Sequence, residues 1–250
     1  MSPSRLPSRP LHELRREARL RARRSGIPLH RALNDVAAAE RFRSWSHMVA
    51  ATPAPAVALA ITLRARATDL LGRLAPGSMV LLGARPGEGK TLLGIALAAR
   101  ALATGRHAAV FSLEETPASV ARRLGAVGCE GGLASRLTVD CAATIDADHI
   151  ARSLNDRAGG TLAVIDYLQL LDHRRDTPPL EVQIAGLKAF ARERRQTLVL
   201  LSQIDRSYDA ASRPCPGFGD VRLPNPLDLS AFDTGLFLRR GEVRVHAPPT

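Results

Sequence analysis

The chain has 250 residues, 35 Lys+Arg against 24 Asp+Glu, and a net charge of +11. That length suits one full domain plus an appendage, and a core of about 200 residues can bury on the order of 70% of its unfolded surface without staples. With 45% hydrophobic and 24% charged residues it is no disordered chain, and three widely spaced cysteines, Cys129, Cys141 and Cys215, argue against a disulfide framework or a zinc site and for a reducing compartment.

In chain order, LHELRREARLRARR (11–24) predicts a helix whose apolar face carries Leu11, Leu14, Ala18 and Leu20, ended by Ser25-Gly26. A second helix is expected over 28–41, with Pro28 near its first turn, and a third over 45–51, with Trp45 in the small core. Residues 1–47 hold 11 arginines and 4 acids, a net of +7, leaving +4 for the rest. TPAPA (52–56) reads as a stiff linker. The longest apolar stretch, 51–63, is broken by prolines and threonines, and no run reaches 18 apolar residues. No membrane span is expected, and the chain reads as cytoplasmic.

Beyond the linker, short apolar strands are predicted at 78–84, 107–113, 136–140, 161–166, 197–202 and 233–238. Helical patterns separate most of them, at 90–104, 117–127, 146–157 and 179–195. The alternation predicts an α/β domain with a mostly parallel central sheet. A last strand at 241–246 is expected to pair antiparallel with 233–238 through Arg239–Gly241.

The sharpest motif is Ala84-Arg85-Pro86-Gly87-Glu88-Gly89-Lys90-Thr91, between a predicted strand and a predicted helix, as a P-loop requires. Glycines let successive backbone N–H groups point at phosphate oxygens, and the helix start adds its positive dipole end. Lys90 would reach the β- and γ-phosphates of ATP, and Thr91 would sit on Mg²⁺. The strict pattern has Gly where this chain has Ala84. VIDYLQLL (164–171) ends its strand in Asp166, the expected Mg²⁺-side carboxylate. Glu114 and Glu115 follow the second strand, where a carboxylate can take a proton from the attacking water, and Ser202-Gln203 end another, where an amide can report nucleotide state. Four such strand ends converging on one crevice mark an NTPase.

These segments, in this order, resemble the ATPase domain of the DnaB-type replicative helicases, a branch of the RecA-like fold, over about residues 70–240. ARPGEGKT looks like that family's P-loop, including the alanine at its first position. FSLE (111–114) resembles the second strand, whose glutamate is the catalytic base, which implies Glu114 rather than Glu115. VIDYLQLL is similar to the Walker B segment, and LLSQIDR (200–206) to the sensor motif, which implies Gln203 as the γ-phosphate sensor. LTVDCAATIDADHIARSL (137–154) and, more weakly, GDVRLPNPLDLSAFDTGLFL (219–238) extend the likeness.

The resemblance implies a RecA-like P-loop ATPase domain over 70–250, and the charge and helix patterns before it predict a small Arg-rich helical arm over 1–50 and a linker over 51–69. The resemblance also implies ATP and Mg²⁺ as cofactors, DNA (in the single-stranded form) as partner, and a homo-oligomer such as a hexamer. The family carries a long helical amino-terminal domain and an arginine finger in a late basic hairpin that reaches the neighbouring subunit's nucleotide. Here the arm is short and the chain stops at Thr250, so the hairpin is expected to be shortened or absent, with Arg239, Arg240 and Arg244 as candidates.

Within loop 204–226, Arg206, Arg213 and Arg222 are candidate contacts to the DNA backbone, although Asp205, Asp209 and Asp220 dilute the charge and a solvated loop reads equally well. The basic arm is the stronger electrostatic candidate. The function expected is an ATP-dependent DnaB-like DNA helicase or DNA-stimulated ATPase. The alternative is a RecA-like nucleotide-dependent switch or adaptor ATPase without processive unwinding.

Overall fold

The computed structural model describes residues 8–9, 11–51, 55–129, 136–142, 145–157, 159–166, 168, 171, 177–209, 213, 215–223 and 225–249. It divides into two compact units, Met1–Ala58 and Leu59–Thr250.

The described residues of the first unit include helices α1 (Leu11–Ser25), α2 (Leu29–Ala39) and α3 (Trp45–Ala51). Their core is Leu14, Ala18, Ala32, Val36, Ala37, Phe42 and Met48, with Ile27, Leu33 and Trp45 packed against it. α1 stops where Gly26 takes φ +62. The Asn34 side-chain oxygen accepts from the Trp45 amide at 3.0 Å and Ser44 Oγ from the His47 amide at 3.1 Å, which sets where α3 begins. Leu20 is exposed, contrary to expectation. Six residues past Leu14 it has turned about 240° around the helix, away from the stripe of Leu14, Ala18 and Ala22. Exposed Arg16, Arg19 and Arg23 share the face opposite that stripe.

The expected linker over 51–69 is corrected by the structure. Pro55–Leu71 is helix α4, while residues 52–54 lie outside the described residues. Pro55 stands at the first helical position, where its missing N–H costs nothing, and the Ala/Leu-rich run behind it favours helix. Ala60, Leu63, Ala67, Leu70 and Leu71 are buried in the core of the second unit, which is why that unit starts at Leu59 rather than at 70.

The second unit is built on a seven-stranded sheet of order β3-β2-β4-β5-β1-β6-β7. The strands are β1 (Met79–Ala84), β2 (Ala108–Ser112), β3 (Leu137–Asp140), β4 (Leu162–Asp166), β5 (Thr197–Gln203), β6 (Thr234–Arg239) and β7 (Glu242–His246). All pairings are parallel except β6 with β7. β1, β2 and β4 are buried throughout, as their uninterrupted apolar runs require of strands covered on both faces. Alternate residues feed two cores. Val80, Leu82, Val110, Val164 and Leu201 pack with α4, α5 (Lys90–Ala103) and α6 (Pro117–Ala126). Leu81, Phe111, Ile165 and Leu200 pack with α7 (Ala147–Asn155) and α8 (Leu180–Arg194).

The parallel sheet puts the carboxyl ends of β1, β2, β4 and β5 on one edge, and the register fixes their levels. Ser112 pairs with Asp166, Asp166 with Leu201, and Ala84 with Gln203. Lys188 donates to Asp233 Oδ1 at 2.9 Å and to the Ala231 carbonyl, while the Met79 amide donates to Asp233 Oδ2 at 2.8 Å. This closes the turn before β6 onto the start of β1, so the chain's second lysine is structural. Cys129, Cys141 and Cys215 are free thiols. Among the described residues no helix is long and apolar enough to cross a membrane.

Candidate active site

The site starts from β1. Its last residue, Ala84, is fully buried, and the chain then turns through 85–89 into α5. Gly87 and Gly89 take φ +82 and +96, a region that side chains resist. Space at Gly89 is tight too, because a Cβ would lie 3.0 Å from Leu59 Cδ2 and 3.1 Å from Leu63 Cδ1 of α4, so those side chains would have to give. Gly89 caps α5 without a side-chain bond, so the first amides of that helix stay available to a ligand at its positive end. Gly94, one turn further on, sits where a Cβ would come within 2.9 Å of Val164, and so lets α5 lie directly on β4.

That close approach brings Lys90 and Thr91 to Asp166, although β5 separates β1 from β4 in the sheet. Lys90 Nζ donates to Asp166 Oδ1 at 2.9 Å, and Thr91 Oγ1 donates to Asp166 Oδ2 at 2.7 Å. The Asp166 side chain is 1% exposed and that of Lys90 11%. A carboxylate this deep needs both partners, since an unpaired buried charge is strongly disfavoured.

On the neighbouring strand, Ser112 is buried level with Asp166, and its Oγ accepts from the amides of Glu114 and Glu115 at 3.1 and 3.0 Å. The two glutamates are thereby distinguished. Glu115 takes Arg123 Nη2 at 2.8 Å and the Ser119 hydroxyl. Burial alone would raise its carboxyl, but the hydrogen bonds from Arg123 and Ser119 and the charges of Arg123 and Arg122 outweigh this and hold it below the ordinary value. Glu115 thus anchors the start of α6. Glu114 is exposed, and its carboxylate has no partner among the described residues. Gln203 ends β5 opposite Ala84, partly exposed, with its carbonyl accepting from the Arg222 amide at 2.8 Å.

A cavity of about 300 Å³ adjoins the Gly-rich turn, lined by Arg85, Pro86, Glu88, Tyr208, Arg239 and Arg240 among others. Arg85 Nη1 donates to the Tyr208 carbonyl at 3.4 Å.

Of the loop arginines, Arg206 and Arg222 are exposed. Arg213 is engaged within the loop, with its two terminal nitrogens on Asp220 at 2.5 and 3.1 Å and its guanidinium 5.3 Å from the Tyr208 ring centre. Asp220 also accepts from the Gly217 amide at 2.9 Å, so Arg213 holds the loop together rather than presenting a free cation.

Three parts of the site were not anticipated from the sequence: the α4 leucines over Gly89, the Ser112 hydroxyl under the glutamate turn, and a bond from the Arg240 amide to Glu88 Oε2 at 2.6 Å. Only α4 had a signal, in the spacing of Ala60, Leu63, Ala67 and Leu70. The other two are long-range matches of single groups.

A strand, a Gly-rich turn and a helix at the middle of a mostly parallel sheet, with an aspartate at a nearby strand end, define a RecA-like nucleotide-binding fold. A solved structure described as an ATPase domain has this fold, with a TM-score of 0.54 at 22% identity, covering 69% of this chain and 74% of that one. So does a structure described as a DnaB-like replicative helicase and its interactions with primase, with a TM-score of 0.56 at 18% identity, covering 71% and 58%.

Within that class, residues 129–247 match the family described as DnaB-like helicase C terminal domain. The chain is 30% identical over 201 residues to the replicative DNA helicase DnaB of Helicobacter pylori strain J99, covering 67% of this chain and 41% of that protein. It is 26% identical over 198 residues to the DnaB of Geobacillus stearothermophilus, covering 66% and 43%. The chain therefore spans less than half the length of these relatives. The family match begins at Cys129, so it includes Asp166 and Gln203 but not 84–91 or Glu114.

Proposed function

We propose that the unit 59–250 binds ATP with Mg²⁺ and hydrolyses it as a DnaB-like, DNA-stimulated ATPase of the helicase class. The observation that carries this reading is the pair of contacts from one buried carboxylate, Asp166, to Lys90 and Thr91 at the start of α5.

The donors fit the proposed ion. Thr91 and Asp166 offer a hydroxyl and a carboxylate oxygen, the hard ligands Mg²⁺ takes when phosphates and water complete its shell. Among the described residues no cluster of three His, Cys, Asp or Glu competes for a metal. Held by Thr91 and Asp166, Mg²⁺ would supply positive charge against that of the phosphates.

The remaining steps belong to the chain. The backbone of Ala84, Arg85, Pro86, Gly87, Glu88, Gly89, Lys90 and Thr91 cradles the phosphates, and Lys90 leaves Asp166 to pair with them as a compact charge. The adjoining cavity takes the nucleoside. Glu114, the glutamate left unpaired, accepts a proton from the water whose oxygen bonds to the γ-phosphorus as the bond to ADP breaks. Gln203 hydrogen-bonds the γ-phosphate and passes its presence or loss to loop 204–226 through the Arg222 amide.

Single-stranded DNA is the proposed partner, met by Arg206 and Arg222 and by Arg16, Arg19 and Arg23 on α1, with the chain assembled as a homo-oligomer such as a hexamer. Few aromatic residues are present, so phosphate contacts rather than base stacking carry the affinity. The test is ATP turnover with and without single-stranded DNA, with molar mass measured on the same sample. DNA-stimulated turnover by an oligomer is expected. Turnover indifferent to DNA would sink the DNA-dependent half of the reading.

A further inference from the structure

We propose that Ser112 is the positioning residue for Glu114: its buried hydroxyl oxygen fixes the turn that carries the glutamate, so that the carboxylate meets the water at the γ-phosphate. This role rests on the ATP site proposed above and adds to it the group through which the base is held.

A general base must lie within hydrogen-bond reach of the proton it takes, and a misplacement of about 1 Å can cost on the order of 10²-fold in rate. Glu114 is exposed, and its carboxylate has no partner among the described residues. Its placement therefore has to come through the backbone.

Ser112 ends β2 and is fully buried. It lies level with Asp166 on β4, and two residues earlier Val110 lies level with Val164 in the core that α5 covers. By the period of two along a strand, Ser112 and Asp166 point to the same face of the sheet, the face from which Lys90 and Thr91 reach Asp166. The support of the base and the proposed Mg²⁺-side carboxylate are thus neighbours, on strands about 4.8 Å apart.

A serine hydroxyl has two acceptor lone pairs, and both are used here by the chain that follows. Ser112 Oγ accepts from the Glu114 amide at 3.1 Å and from the Glu115 amide at 3.0 Å. These bonds tie the turn to the end of the strand. The far side of the turn is tied separately. The Glu115 carboxylate takes Arg123 and the Ser119 hydroxyl, while Thr116 and Ser119 exchange side-chain-to-backbone bonds of 2.9 and 3.2 Å in a capping box that starts α6. The backbone at Glu114 is held from both directions, and its side chain is left free to meet a ligand. Because Glu115 and the capping box keep α6 in place, loss of the Ser112 hydroxyl loosens Glu114 rather than the fold.

Ser112→Ala, Ser112→Cys, Ser112→Thr and Glu114→Gln in the full chain test this, by steady-state ATP turnover and by binding of a fluorescent ATP analogue, with thermal melting as the check on folding. Ser112→Ala is expected to bind the analogue as the unaltered chain does and to lose about 10²-fold in kcat with KM little changed. Ser112→Cys, whose sulfur accepts only weakly, should fall between the two. Ser112→Thr, which keeps the hydroxyl, should recover most of the rate. A purely structural serine would instead weaken analogue binding together with kcat, in step with the melting temperature.

Full kcat in folded Ser112→Ala or Ser112→Cys would overturn the inference. So would a Ser112→Thr chain as slow as Ser112→Ala, or a loss carried by analogue affinity instead of kcat. Glu114→Gln separates this failure from that of the site beneath it. Unaltered turnover in folded Glu114→Gln would remove Glu114 as the base and the proposed site with it, whereas an inactive Glu114→Gln beside a fully active Ser112→Ala would remove Ser112 alone.

Discussion

At the scale of single residues, the meeting of Asp166 with Lys90 and Thr91 was legible because the proposed phosphate chemistry needs those types in one order along the chain. Ser112 was not, because a buried serine under a turn has no spacing that announces it. The choice between Glu114 and Glu115 rested on resemblance alone; the structure adds a physical reason, since Glu115 is bound to Arg123 and Ser119 and Glu114 is not.

That difference predicts a pH dependence. The Glu115 carboxyl is held below its ordinary value, so its stabilising contribution is complete above the unfolded-state pKa of about 4.3 and is lost as pH falls through the lower folded value. Glu115→Gln removes that contribution. Its thermal stability should therefore depend less on pH than the unaltered chain's below about pH 4.3. Parallel melting curves for the two proteins between pH 6 and pH 2 would show that Glu115 is not the group responsible.

At the scale of elements, all seven strands lie within one residue of the positions read from the apolar runs, and the terminal hairpin pairs through Arg239–Gly241 as expected. Buried parallel strands are legible because burial on both faces leaves a continuous apolar run. Helix α4 was not, because the prolines at 53 and 55 read as linker chemistry although Pro55 begins a helix. Loop 204–226 reads from sequence equally as a DNA-backbone contact or a solvated loop, and neither reading anticipates that Tyr208 is 2% exposed and Asp220 7%.

Asp220 organises that loop by taking both terminal nitrogens of Arg213 and the Gly217 amide, while its carbonyl accepts from the Asp205 amide at 2.7 Å. Asp220→Ala should destabilise the unit by about 1–3 kcal/mol, the cost of leaving buried hydrogen-bonding groups unmatched, with half-exposed Arg213 keeping the value at the lower end. Urea unfolding measures it, and a change below about 0.5 kcal/mol would make the knot an ornament of the surface.

At the scale of the whole molecule, the charge of +11 divides into +7 over residues 1–47 and +4 over the remainder. The first unit has a core of its own beneath those arginines, so it is a folded module rather than a charged tail. The second has the RecA-like fold of the DnaB-like helicases. Its architecture was readable because α/β alternation and a Gly-rich turn leave strong local traces. The grip of Glu88 on the hairpin was not, because it joins residues 152 apart in the chain.

The central claim is that ATP is turned over where Lys90 meets Asp166. ATP hydrolysis by the full chain carrying Lys90→Ala, checked for retained secondary structure by circular dichroism, tests it most directly. The account predicts turnover at background level beside an active unaltered chain, with Asp166→Asn equally inactive. A folded Lys90→Ala chain that hydrolyses ATP at the unaltered rate would contradict it.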